Sequence, residues 1–248
     1  MPALHELAAR GRLPDHQLMD RVTLHWVARN RPDTASGPAA LTPQSAVLVP
    51  SEDWFADPAL TDTLHGVRHN ARVALLATVL AAEYQLDADQ SRALTVAAAV
   101  HDCRRHNDRA DPGHGRRAAT WLDQHHHQVT ATLGIPDLPE HLLRQAATAI
   151  ALHDVPYGTD TRHDHAYRHA RQLTDLLKAA DALDRYRLPA TRWWPDPAHL
   201  RVPLTTALHS LAFDLMLRSE HARLDGATHH EALHHATRTL THPDREPR

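Results

Sequence analysis

Apolar side chains in this chain return every third or fourth residue, and that spacing constrains the fold more than any other feature. Val73, Leu76 and Leu80 form one such stripe, and Leu173, Leu176, Leu177 and Ala180 form another. An α-helix turns once in about 3.6 residues, so each set falls on one helical face. Alternating β-branched runs are absent apart from Val47-Leu48-Val49, and Asn-Gly hairpin signals are missing. The expectation is an all-α chain. Helices are expected over 3–10, 14–29, 62–85, 88–102, 113–127, 138–153, 163–187, 198–220 and 228–240. Thr61/Asp62, Asp87, Pro112 and Asp137 supply the start signals.

Two proline-rich stretches, 30–60 and 188–203, interrupt the helices, and the second carries Trp193-Trp194. Such stretches are loops, and long ones are often lids or disordered. The tail from Thr241 onward is expected to fray. With no internal repeat and no clear linker, the chain divides into an N-terminal extension (1–60), a core (61–187) and a C-terminal extension (188–248) that packs on it.

Composition excludes several function classes. Lys and Arg total 27 against 30 for Asp and Glu, a net charge of −3, which does not suit a strongly basic binder of nucleic-acid duplexes. Aromatics make up 4%, too few for a base-stacking platform. Apolar runs such as Val96–Val100 fall far short of a membrane span. Polar His5, Glu6, Arg10 and Arg12 stand where a signal peptide needs apolar residues, and the lone Cys103 has no disulfide partner. A cytoplasmic protein is expected.

Histidine occurs 24 times, so the positions, not the number, must carry any argument. His69 lies one turn before Val73 and on its face. His101-Asp102 ends the apolar run Ala93–Val100, and His153 ends the run Ala146–Leu152. Asp181 sits among Leu176, Leu177, Ala180 and Leu183. An inward imidazole or carboxylate on an apolar face is costly unless paired or bound to a cation. Donors from four helices could share one ion, and imidazole with carboxylate suits Fe, Mn, Zn, Co or Ni rather than Ca. Neighbouring His101 and Asp102 diverge by about 100° within a helix. They converge only on an ion placed over the helix end.

The order His69, His101-Asp102, Asp181 resembles the H…HD…D signature of the HD-domain superfamily of metal-dependent phosphohydrolases. His69-x-x-Arg72-Val73 is similar to the superfamily's first motif, and Ala97-Ala98-Ala99-Val100-His101-Asp102 to its apolar run into HD. Lys178-Ala179-Ala180-Asp181-Ala182-Leu183-Asp184 is similar to its last. The resemblance spans roughly residues 61–187. It implies a helical bundle around a buried mono- or dinuclear site. Some members add two histidines that hold a second metal, with the Asp of the HD pair bridging. His114 and His153 fit those places, with His106 the local competitor of His114. The metal-ligand set implied is His69, His101, Asp102, His114, His153 and Asp181, holding one or two divalent transition-metal ions.

The resemblance implies hydrolysis of a small phosphorylated metabolite, nucleotides first among them, through a metal-activated water. Asp102, Lys178 and Arg105 are the expected catalytic residues, Arg105 standing where many members carry Lys or Arg. Arg72, Arg104, Arg116, Arg117 and Arg185 are expected to hold substrate, since Arg grips phosphate bidentately. Lys178 is the only lysine and lies three residues before Asp181. Two other readings stand beside this one. Some six-ligand members hold a mixed-valence diiron pair and oxidise a C–H bond with O2, and a non-catalytic metal-stabilised regulatory module would use the same bundle. The Glu-Asp signature of alarmone hydrolases and the Gly-Tyr-Pro signature of cyclic dinucleotide phosphodiesterases are absent. The bland alternatives are solvated helix ends for His125-His126-His127, His229-His230 and His234-His235, and a small buried apolar residue for Cys103. His65 is either an orienting partner for a ligand or a solvated residue. Trp193 and Trp194 suit packing or a homodimer contact better than a substrate wall.

Overall fold

The computed structural model describes residues 1–41, 47–158 and 164–241; His163, part of the first proline-rich stretch and the tail beyond Thr241 lie outside them. The described residues are all-α, with no strand among them. The helices are α1 (Leu4–Ala9), α2 (Arg21–Arg29), α3 (Val67–Glu83), α4 (Ala88–Val100), α5 (His114–Leu133), α6 (Glu140–His153), α7 (Asp164–His169), α8 (Arg171–Leu183), α9 (Thr206–Leu224) and α10 (His229–Thr241). None is long and apolar enough to cross a membrane.

α3 is the central rod. Val67–Ala77, Leu80 and Ala81 are all buried, so apolar and charged side chains alike face protein around its whole girth. It packs on α4 and α8, α6 packs on α4 and α8, and α5 lies along α6. α9 and α10 pack together outside this bundle, and α9 presses on α2 and on a 3-10 turn, Asp184–Arg187, that follows α8. α8 buries the stripe Leu173, Leu176, Leu177 and Ala180, as its spacing predicts.

Helix boundaries differ from expectation where a local bond outweighs periodicity. Asp87 caps α4 as expected, in a reciprocal capping box with Gln90. Residues 14–20 are not helical; α2 starts at Arg21 because the Asp20 carboxylate accepts the Thr23 N–H. α3 starts at Val67, not 62. Residues 61–66 fold back so tightly that a Cβ at Gly66 would collide with the Leu60 and Thr61 carbonyls, and the Val67 N–H donates to Thr61 O at 2.9 Å. Asp137 does not cap α6; it accepts Thr130 Oγ1 at 2.7 Å and contacts His127, and Pro139 precedes the helix. α5 continues past 127 because Val129 and Leu133 return to its buried face. The expected helix 163–187 is α7, α8 and the 3-10 turn, broken at Ala170. α9 starts at Thr206, capped by Thr205, not at 198.

Neither described proline-rich stretch is featureless. Three 3-10 turns punctuate the first and two the second, and Trp54 and Trp194 are buried. Trp194 donates its indole N–H to Leu188 O and packs edge-on against Tyr186, Phe213 and Trp26.

Candidate metal centre

Four histidines converge, in two pairs, from four helix ends or faces. His101 follows the last residue of α4, and its Nδ1 lies 2.8 Å from Ala98 O; His153 ends α6, with Nδ1 2.7 Å from Ile150 O. The last carbonyls of a helix lack intrahelical partners. Each imidazole therefore donates Nδ1–H to the carbonyl three residues back and projects Nε2 beyond the helix end. His114 opens α5 and sets Nδ1 2.7 Å from Asp111 O. His69, on α3, sets Nδ1 2.8 Å from the buried Asp184 carboxylate. A carbonyl oxygen only accepts, so in the neutral rings the proton sits on Nδ1 and Nε2 carries a lone pair.

Those Nε2 atoms face one another. His69 Nε2 lies 3.1 Å from His101 Nε2, and His114 Nε2 lies 3.0 Å from His153 Nε2. Asp102 stands between the pairs. Its Oδ2 is 3.5 Å from His69 Nε2, and its Oδ1 is 2.9 Å from His114 Nε2 and 3.3 Å from His153 Nε2. Asp181 Oδ1 completes the first group, 3.4 Å from His69 Nε2 and 3.8 Å from His101 Nε2. Two sets of three donors result, His69–His101–Asp102 and Asp102–His114–His153, sharing Asp102. Asp102 Oδ1 is buried and finds no well-aligned hydrogen-bond donor despite the near imidazoles. Lone pairs converging on lone pairs and on an orphaned carboxylate oxygen are unfavourable without a cation between them. This donor set fits a divalent metal with nitrogen and oxygen ligands.

Electrostatics agree. Burial opposes ionisation of Asp102, yet the Arg105 guanidinium beside it holds it well below the usual carboxylate range. Asp181 is likewise held well below that range against burial, with the Arg187 guanidinium contributing. Burial raises the Cys103 thiol, which stays neutral and apolar as its sequence context suggests.

Further contacts fix the donor side chains in place. Arg72 donates Nε to Asp184 Oδ1 at 2.6 Å and Nη2 to Asp184 Oδ2 at 2.9 Å, so the carboxylate that orients His69 is itself fixed. Arg187 donates to Leu64 O and Asp184 O and sets Nη2 3.3 Å from His69 Nε2. A Cβ on Gly115 would sit 2.9 Å from both His153 Nδ1 and Asp154 Oδ1 and would collide with Ile150 O. Only glycine lets α5 approach α6 closely enough to join His114 to His153.

The donors open into a cavity of about 680 Å³. Asp102, His114, His153 and Asp181 lie on its wall with Arg105, Lys178, Arg185, Arg187 and Arg192, and the 188–200 loop contributes Leu188, Trp194 and Leu200. Lys178 Nζ donates to His153 O at 2.9 Å and Val155 O at 2.6 Å. Burial lowers its pKa to about 8, with Asp181 and Asp154 opposing the shift.

Of the expected substrate contacts, Arg185 is on this wall and four others are placed elsewhere. Arg72 is buried beneath the donor cluster between Asp184 and Glu220. Arg104 donates to Trp54 O and lies over the Trp121 ring. Arg117 donates to Arg104 O and Asp111, which holds the loop before α5, and Arg116 is exposed and off the cavity wall. His106 is exposed and belongs to neither donor set, whereas His114 belongs to one. His65 sits on the cavity wall with Nδ1 2.8 Å from Asp108 Oδ1. Asp184 carries no role in the sequence reading beyond closing the last motif, and Arg187 is not singled out there, although Asp181, Asp184 and Arg187 recur at three-residue spacing. Comparison with protein-family models, with curated proteins and with solved structures finds no match.

Proposed function

We propose that the protein is an HD-type metal-dependent phosphohydrolase acting on a small phosphorylated metabolite, nucleotides being the first class to test. One observation carries the reading: two donor triads sharing Asp102 open onto a cavity whose wall also bears Arg105, Lys178, Arg185, Arg187 and Arg192. Divalent ions in such a pair of sites lower the pKa of water to near neutrality and polarise a phosphoryl oxygen.

The chain's own residues supply placement and charge. Lys178 uses two of its three N–H donors on backbone carbonyls, which aims the third at the cavity. With a pKa near 8 it remains a cation at neutral pH and suits a phosphate oxygen. Arg105 is pinned through Nε to Asn107 O and through Nη2 to Arg109 O, and its Nη1 lies 3.2 Å from His114 Nε2 and 3.6 Å from Asp102 Oδ1. It is positioned for a phosphate oxygen beside the donor cluster. Trp194, Leu188, Leu200 and Val155 give the cavity an apolar wall for the organic part of the substrate.

The test is release of inorganic phosphate or nucleoside from a phosphoester panel with Mn2+, Co2+, Ni2+ or Fe2+. Metal-dependent turnover abolished by Asp102→Asn supports the reading. Absence of turnover with metal bound contradicts it. The complete six-donor set also supports a second reading, diiron oxidation of a C–H bond, and O2 uptake by the iron-loaded protein with an organic substrate would favour that one.

A further inference from the structure

Beneath the donor cluster runs a buried chain of alternating charge. Asp184 gives both oxygens to Arg72 and sets Oδ2 against His69 Nδ1. The remaining arm of Arg72, Nη1, donates to Glu220 Oε1 at 2.6 Å and to Ser219 Oγ at 3.2 Å. Glu220 in turn accepts Arg68 Nε at 3.1 Å and Arg68 Nη2 at 2.8 Å. Arg68 reaches Asp62, which Arg223 grips with two N–H groups at 3.0 and 2.8 Å. Arg68, Arg72, Asp184 and Glu220 are all buried.

The geometry gives Glu220 a specific task. Arg68 and Arg72 are four residues apart on α3, so their guanidinium groups emerge on one face. Two buried cations so placed repel unless an anion lies between them, and Glu220 is that anion. With it in place, Arg72 is held at all three of its nitrogens and presents a flat fork to Asp184. Asp184 then has no freedom to rotate, and the His69 ring has one tautomer and one orientation. Glu220 lies 148 residues from Arg72, on a helix that contributes no donor to the cluster.

We infer that Glu220 is a positioning residue for the metal centre, acting through Arg72 and Asp184 on His69, so that α9 is part of the site's foundation. The inference rests on the metal reading above. Its test is Co2+ titration of the full chain. The variants are Glu220→Gln, Glu220→Asp, Glu220→Gln combined with Arg68→Met, and Ser210→Ala as a buried polar control on the same helix. The double variant removes one charge of each sign, which guards against simple unfolding that circular dichroism monitors, and leaves the Nη1 arm of Arg72 without the carboxylate that fixes it. Changes in outer-shell partners typically weaken metal binding by about 10–100-fold. The double variant is expected to bind Co2+ at least about tenfold more weakly at one position, with a displaced visible absorption band. Glu220→Asp recovers part of the affinity, and Ser210→Ala matches wild type. Wild-type affinity and spectrum in the folded double variant, or an equal loss in Ser210→Ala, overturns the inference while leaving the metal reading intact. Wild-type protein that takes up no Co2+ overturns both.

Discussion

His114 Nε2 and His153 Nε2 lie 3.0 Å apart although 39 residues separate them in the chain. Each ring is turned toward the other by a backbone carbonyl on its far nitrogen, Asp111 O and Ile150 O. The pair shares Asp102 Oδ1 with no other donor group of the first triad. Removing either histidine should therefore remove one ion and spare the other. We predict that His114→Ala and His153→Ala each retain about half the metal of the wild type by elemental analysis after loading with Mn2+ or Fe2+. Loss of all metal in either variant would show that the triads are not separable.

Gly115→Ala should have a similar effect without touching a donor. The added methyl meets Ile150 O, Asp154 Oδ1 and His153 Nδ1, and backbone cannot yield as a flexible side chain would. Overpacking of this kind costs about 1–3 kcal/mol. The variant should unfold at lower urea concentration and lose the ion held by His114 and His153. Unchanged metal content and midpoint would contradict the close approach of α5 to α6.

The pH response of stability should carry the signature of His65. Burial, with Arg105 and Arg187 nearby, lowers its pKa to about 3 against the pull of Asp108. In the unfolded chain it titrates near its ordinary value of about 6.5. Between those values the unfolded chain binds a proton that the folded one refuses. Stability from this residue is therefore fully present above pH 6.5 or so and falls as the pH drops, by up to about 1.4 kcal/mol per pH unit. Urea unfolding between pH 7.5 and 5 should show a steeper loss in wild type than in His65→Gln. Equal slopes would contradict the depressed value.

Lys178 should matter for substrate affinity. A hydrogen bond to a charged partner contributes about 1.5–3 kcal/mol, so Lys178→Met should raise KM for a phosphoester about 10- to 100-fold. Lys178→Arg should not restore it, because a planar fork cannot replace an ammonium seated between His153 O and Val155 O. Steady-state kinetics on the substrate found by screening decide this. An unchanged KM in Lys178→Met would remove the residue from the site.

The donors were legible because their signals are local. His101-Asp102 and His153 each stand at the end of an apolar run, and the structure ends α4 and α6 there. The Asp87 cap was legible for the same reason. What surrounds the donors was not. Arg72 reads as a phosphate contact because its partners Asp184 and Glu220 lie 112 and 148 residues away, and long-range ion pairs leave no local pattern. Arg104 and Arg117 mislead likewise: nearness in sequence to His101 and His114 does not place a side chain on the cavity. The break between α7 and α8 was invisible because the apolar stripe of α8 continues the phase set before it. The 188–203 stretch reads as a loop of the kind that is often a lid or disordered, yet Trp194 packs it against nearby Tyr186 and against Phe213 on α9, and the stretch lines the cavity.

Shared ligation through Asp102 is decided by metal analysis of anaerobically purified protein, wild type beside Asp102→Asn. Asp102 is the one side chain common to both triads. Two ions per wild-type chain are expected after loading, and a loss of binding at both positions in the variant, with the helical fold retained. A folded wild-type chain that binds no transition metal, or an Asp102→Asn variant that holds both ions as tightly as wild type, would contradict it.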